Sequence, residues 1–207
     1  MKIKTFVQGP FATNCYLLIS EHSPEAIAID PADKDPTFIR FILDQNLKLK
    51  TILFTHGHLD HVSGAGDLKR HFNAPIAIHR ADVALLSSAP TMARYFGLPE
   101  PEVPVPDVFL EENQVISLSE ISLKVIHTPG HTPGGVCFLS DEGVFVGDTL
   151  FAGSIGRTDL PGGNYEQLIQ SIHSKLLILD EELPLYPGHG PPTVLRVEKF
   201  TNPFLIQ

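Results

Sequence analysis

The sequence predicts an α/β chain in which two β-sheets pack face to face with helices outside each. Three observations lead there. Short apolar or β-branched segments outnumber helical ones, both kinds are spread along the whole chain, and the middle of the chain alternates strand with helix. At 207 residues the chain suffices for one substantial core, so a single domain over 1–207 is expected.

In chain order, residues 3–7, 15–19 and 26–29 are short apolar segments separated by turn residues, and each reads as a strand. A helix follows, with Asp35 as cap, Pro36 in its first turn, and Phe38, Ile39, Phe41 and Ile42 as an apolar stripe. Residues 50–54 form the next strand. Residues 67–72 and 81–86 read as helices with a strand at 75–78 between them. Five prolines within 90–106 predict an irregular loop, which as a flap would bring Met92, Arg94, Tyr95 and Phe96 to a substrate. Residues 121–126 alternate and form a strand, while 136–139 and 144–146 make a hairpin across Ser-Asp-Glu-Gly. Asn164 and Gln167 start a helix bearing Leu168, Ile169, Ile172, Leu176 and Leu177. A strand at 183–186 and a helix over 193–200 complete the chain.

The formal charge is -9, from 24 acidic against 15 basic residues, so no basic stripe is available to follow a phosphate backbone, and nucleic acid is not expected as a partner. No segment approaches the roughly 18 unbroken apolar residues of a membrane span, and residues 1–10 do not read as a signal peptide. Cys15 and Cys137 each lie in an apolar run and read as core thiols of a reducing compartment. A cytoplasmic location is the expectation.

Seven residues carry the chemistry. His56, His58, Asp60 and His61 lie in Thr-His-Gly-His-Leu-Asp-His (55–61), and His131, Asp148 and His189 follow, each in a glycine-containing turn after a strand. If the strand ran on, 56, 58 and 60 would share one side; His61 joins them only if the backbone turns after Asp60. Imidazole and carboxylate donors without thiolate suit zinc, iron or manganese. One ion can take His56, His58 and His131, and a second Asp60, His61 and His189, with Asp148 bridging. Two divalent ions, with zinc first in order, are expected. A hydroxide between them would supply the nucleophile, since a metal lowers the pKa of water from about 15.7 toward 7, on the order of 12 kcal/mol at neutral pH. Of the remaining histidines, His22, His71, His79 and His173 read as surface or core, and His127 as a structural neighbour of the His131 loop.

These motifs, in this order, resemble the metallo-β-lactamase superfamily across nearly the whole chain. The resemblance implies an αββα sandwich of two mixed sheets with the metal site at one edge. It also implies ligand roles for His56, His58, Asp60, His61, His131, Asp148 and His189. The segment Gly-Asp-Thr-Leu-Phe-Ala-Gly-Ser-Ile-Gly-Arg (147–157) looks like the glyoxalase II group, which hydrolyses thioesters of glutathione. The continuation Thr-Asp-Leu-Pro-Gly-Gly (158–163) is similar to its short bacterial forms, which lack the C-terminal helical domain of the long form. The expected reaction is attack on a small-molecule thioester, with Asp60 and Asp148 as catalytic residues and Arg157 pairing with a substrate carboxylate. Rival readings are a persulfide dioxygenase with one iron, a lactonase, and a non-catalytic metal-binding module.

Overall fold

The computed structural model describes residues 1–206. Its chain begins with β1 (Lys2–Gln8), β2 (Thr13–Ile19) and β3 (Glu25–Ile29), then α1 (Pro36–Asp44) and β4 (Lys48–Leu53). Next come the short α2 (Leu59–Val62), α3 (Ala65–Phe72), β5 (Ile76–His79), α4 (Val83–Tyr95) and β6 (Val108–Leu110). The second half holds β7 (Val115–Leu118), β8 (Ile121–His127), β9 (Val136–Ser140), β10 (Gly143–Gly147), and the small ribbon β11 (Leu150–Phe151) with β12 (Ser154–Ile155). It closes with α5 (Tyr165–Ser171), β13 (Pro184–Pro187), β14 (Thr193–Val194) and α6 (Leu195–Thr201).

The strands form two six-stranded sheets, ordered β1-β2-β3-β4-β5-β6 and β14-β13-β10-β9-β8-β7. Both are mixed. The first turns parallel after β3, and the second has one parallel pair, β10 with β13. Alternation assigns each side chain to a layer. On β2, Cys15 and Leu17 face the helices while Tyr16 and Leu18 face the other sheet. On β10, Phe145 enters the space between the sheets, whereas Val144 and Val146 pack under Leu168, Ile172 and Leu195 of the opposite helix layer. Because both faces of these central strands are covered, their sequences are nearly continuous apolar runs. Four layers result, αββα.

Local signals explain most boundaries. Asp35 accepts from Thr37 N at 2.8 Å at the start of α1, and Asn164 accepts from Gln167 N at 3.0 Å at the start of α5. Ser140 opposes Gly143 in the predicted hairpin. Three expectations need correction. The segment 90–106 is not wholly irregular, since α4 runs through Pro90 to Tyr95, held by the buried Leu86, Ala89 and Ala93. Residues 193–194 are not helical but pair with β13 as an edge strand, antiparallel to Pro184 and Leu185. The helix from Asn164 changes winding at Ile172–Leu176, which is π-helical and keeps Ile172 and Leu176 buried. β6, β7, β11 and β12 were not anticipated; at two to four residues they are too short for a periodic signal. No helix among the described residues is long and apolar enough to cross a membrane.

Candidate metal centre

The histidine motif does not extend β4. That strand stops at Leu53, residues 54–58 run as a loop, and α2 begins at Leu59. The helical turn, rather than strand alternation, therefore sets Asp60 and His61 beside the histidines. His131 comes from the turn after β8, Asp148 from the end of β10 and His189 from the turn after β13. Every one of the seven expected ligands reaches the same rim, at the ends of strands from both sheets.

The donor atoms form three overlapping groups, His56, His58 and His131; Asp60, His61 and His189; and His56, His61 and Asp148, the last linking the first two triads. His131 Nε2 stands 3.0 Å from His58 Nδ1 and 3.3 Å from His56 Nε2. In the other triad, His189 Nε2 is 3.3 Å from His61 Nε2 and 3.2 Å from Asp60 Oδ2. Asp148 lies between them. Its Oδ1 is 3.4 Å from His61 Nε2, and its Oδ2 is 3.6 Å from both His131 Nε2 and His189 Nε2. Ligands about 2.0–2.1 Å from one tetrahedral ion stand about 3.3 Å apart, so these separations suit a metal. Asp148 Oδ1 is moreover buried with no donor in hydrogen-bond geometry, a costly position unless a cation offsets it.

Outer contacts decide which way the rings face. His131 Nδ1 lies 2.7 Å from the main-chain oxygen of Arg157, and His189 Nδ1 3.1 Å from that of Phe11; an oxygen can only accept, so each Nδ1 carries a proton and each Nε2 is the nitrogen turned toward the cluster. His61 Nδ1 is 3.0 Å from Asp30 Oδ2. The same carboxylate takes Thr55 N at 2.8 Å and Thr55 Oγ1 at 2.6 Å, and Thr55 Oγ1 also lies 3.0 Å from His56 Nδ1. Asp30 has φ 50, a left-handed backbone that few non-glycine residues adopt, and it is buried. Asp82, also buried, accepts from Gly57 N at 2.9 Å, Thr132 Oγ1 at 2.7 Å and Gly134 N at 2.6 Å, joining the His56 loop to the His131 loop. Neither Asp30 nor Asp82 was among the expected site residues. The only trace of Asp30 in the sequence is an acidic residue directly after a strand, which is also common turn chemistry.

Charge follows from this packing. Burial, followed by the neighbouring histidines, holds His56 well below the usual imidazole range and takes His58 down to about 4. Burial would raise the Asp60 and Asp148 carboxyls, but it is outweighed, above all by His61, and both lie below the usual carboxylate range. His61 is raised, since Asp148, Asp30 and Asp60 outweigh its burial. Burial would lower His189, but its hydrogen bond to Asp60 and the Asp148 charge outweigh it, so His189 is raised as well. His56 and His58 are thus held neutral beside ionised carboxylates, whereas His61 and His189 favour the proton that a bound metal would have to displace.

Arg157 contributes its main-chain oxygen to the site. Its guanidinium pairs with Asp159, Nε to Oδ1 and Nη2 to Oδ2 both at 2.8 Å. His127 stacks on His79 with ring centroids 4.2 Å apart, outside the cluster. Cys15 and Cys137 are buried thiols.

Beside Asp60 a cleft of about 340 Å³ opens between Phe11, Leu59, Leu98, Pro99 and Pro101, with Asp33 and Lys34 also lining it. Of the 90–106 segment, then, Leu98, Pro99 and Pro101 line the cleft, rather than Met92, Arg94 and Tyr95. Phe96 stacks edge-on against Phe11 at 5.5 Å.

A model of the family described as "Metallo-beta-lactamase superfamily" matches residues 8–189, a span that includes all seven expected ligands. The chain belongs to the metallo-β-lactamase superfamily. Within that superfamily it is 42% identical over 209 residues to a hydroxyacylglutathione hydrolase, GloC, of Haemophilus influenzae, covering 99% of this chain and 98% of that one. Among solved structures, TTHA1623 in a di-iron-bound form superposes with a TM-score of 0.89 at 38% identity, covering 98% of this chain and 100% of that one. The B3 metallo-β-lactamase BLEG-1 also superposes with a TM-score of 0.89, at 34% identity and full coverage of both chains. Both solved structures share the αββα frame described above.

Proposed function

We propose that this protein is a dinuclear metal-dependent hydrolase of thioesters of the hydroxyacylglutathione kind. The observation that carries the reading is Asp148, whose Oδ2 is 3.6 Å from both His131 and His189, one from each triad, and whose buried Oδ1 is 3.4 Å from His61 with no hydrogen-bond partner. The 42% identity to the Haemophilus influenzae hydrolase over nearly all of both chains supports the thioester as substrate.

His56, His58 and His131 would hold one divalent ion, Asp60, His61 and His189 the other, and Asp148 both. Bound ions supply Lewis acidity, which acidifies water and polarises a carbonyl oxygen. The chain's own part is to present lone pairs and carboxylates in a fixed array. Asp30, the Arg157 carbonyl and the Phe11 carbonyl hold the outer imidazole nitrogens, so no ring has to reorient during turnover. Asp60 directs Oδ2 toward His189, and its second oxygen is the acceptor we assign to orienting the attacking water. Net reaction is addition of water across the acyl–sulfur bond, which breaks it and gives a carboxylate, a thiol and one released proton. A nucleophilic cysteine is disfavoured. Burial raises the Cys15 thiol well above its usual range and pushes that of Cys137 up to about 11.

The test is metal analysis of the native protein together with turnover of lactoylglutathione, an acyl lactone, a β-lactam and a glutathione persulfide. Two metals per chain and thioester cleavage that falls at least about 100-fold in Asp148→Ala are expected. Lactone or β-lactam opening without thioester turnover overturns the substrate. One iron per chain with oxygen consumption on the persulfide overturns the reaction class, and a metal-loaded protein inert to the whole panel overturns catalysis.

A further inference from the structure

The cleft beside Asp60 has two features that the metal ligands do not explain. Its walls are apolar, and its rim carries adjacent opposite charges, Asp33 and Lys34, both exposed. Asp33 Oδ1 accepts the main-chain N–H of Lys34 at 2.7 Å, yet neither side chain has an ion-pair partner among the described residues.

We infer that this cleft receives the thiol-carrier half of the substrate, and that Asp33 and Lys34 together bind an α-amino-acid zwitterion on that carrier. This rests on the thioester reading above. The acyl carbon must lie at the metal ligands, where the bond is cut, so the larger half extends into the adjoining space. At about 340 Å³ the cleft is in the size range of small-molecule pockets. Phe11, Leu59, Leu98 and Pro99 suit methylene and peptide groups. A simple anion would gain from Lys34 and lose to Asp33, whereas an ammonium and a carboxylate on one carbon satisfy both. Arg157, occupied by Asp159, leaves Lys34 as the cation at the cleft.

The experiment compares KM and kcat of the metal-loaded protein for three lactoyl thioesters: that of glutathione, that of glutathione acetylated on its amine, and that of N-acetylcysteamine. Lys34→Ala is expected to raise KM for the glutathione thioester about fivefold relative to the N-acetylcysteamine thioester, with kcat within about twofold. Asp33→Asn is expected to raise KM for the glutathione thioester about threefold relative to its acetylated form. Lowered KM in Asp33→Asn, or ratios unmoved in both variants, overturns the inference while leaving thioester hydrolysis intact. If the wild type turns over none of the three, the same variants are titrated calorimetrically with S-methylglutathione and its N-acetyl derivative. Binding weakened by both substitutions then supports the zwitterion site while refuting the thioester reading; no binding, or equal affinity in all variants, overturns the site too.

Discussion

At the scale of single residues, Asp30 shows how a site depends on atoms that never reach its centre. A strained backbone at φ 50 aims its carboxylate at His61 and Thr55, and so indirectly at His56. Asp30→Asn keeps the size but removes the charge that fixes the His61 tautomer. Metal affinity is expected to fall about 10- to 100-fold, measured by competition with a chromophoric chelator; unchanged affinity would refute the positioning role. Gly188 is the converse case, needed for what it lacks. A Cβ there would sit 2.3 Å from Asp148 Oδ1 and 2.6 Å from the His61 ring, so no larger residue fits against the Asp148 carboxylate. The seven ligands were legible because each stood in a motif of unusual composition. Asp30 and Asp82 were not, since one aspartate after a strand or before a helix fits ordinary turn and cap chemistry.

At the scale of elements, α4 is the clearest departure from propensity. Proline in a helix interior removes a hydrogen bond and costs about 3 kcal/mol, which is why the sequence reads as a break at Pro90. Burial of Leu86, Ala89 and Ala93 against the first sheet outweighs that cost, a tertiary contribution that local reading does not see. Pro90→Ala is accordingly expected to stabilise by about 1–3 kcal/mol, raising Tm by a few degrees in calorimetry; a lower Tm would mean that the proline shapes the turn into the cleft wall. The β7–β8 turn carries a second device. Glu120 accepts from Ser20 Oγ at 2.7 Å and from Glu21 N at 2.6 Å, clamping one sheet to the other. Its carboxyl is lowered to about 2, chiefly by the Ser20 hydroxyl. With the folded value below the unfolded one of about 4.3, this stabilisation is complete above about 4.3 and is lost as pH falls toward 2. The Tm difference between wild type and Glu120→Gln should therefore be constant near neutrality and shrink below pH 4.3. A difference independent of pH would argue against an ionised clamp.

At the scale of the whole molecule, the metal centre lies where the two sheets meet, and β2 helps to close it. Tyr16 OH donates to Pro187 O at 2.6 Å, Asn14 N to Gly188 O at 2.7 Å, and Asn14 Nδ2 to Pro187 O and Gly190 O at 2.9 Å each. The first sheet thereby holds the loop that presents His189 from the second. Ions shared across that junction would bind the folded state alone, so removal by chelator is expected to lower Tm, by about 2.7 kcal/mol of lost stability for metal at 100 times its Kd, and re-addition to restore it. A Tm indifferent to chelation would place the metals outside the folding equilibrium. The sequence by itself determined the donor set, the αββα alternation and the strand-end origin of each ligand, because residue type, period and glycine turns are local properties. Only the tertiary structure decided the distances at which those donors meet, the outer contacts from Asp30 and Asp82, and the cleft with its Asp33–Lys34 rim. Those are relations between segments up to 178 positions apart, as His189 to Phe11 is, and they exist once the two sheets have packed.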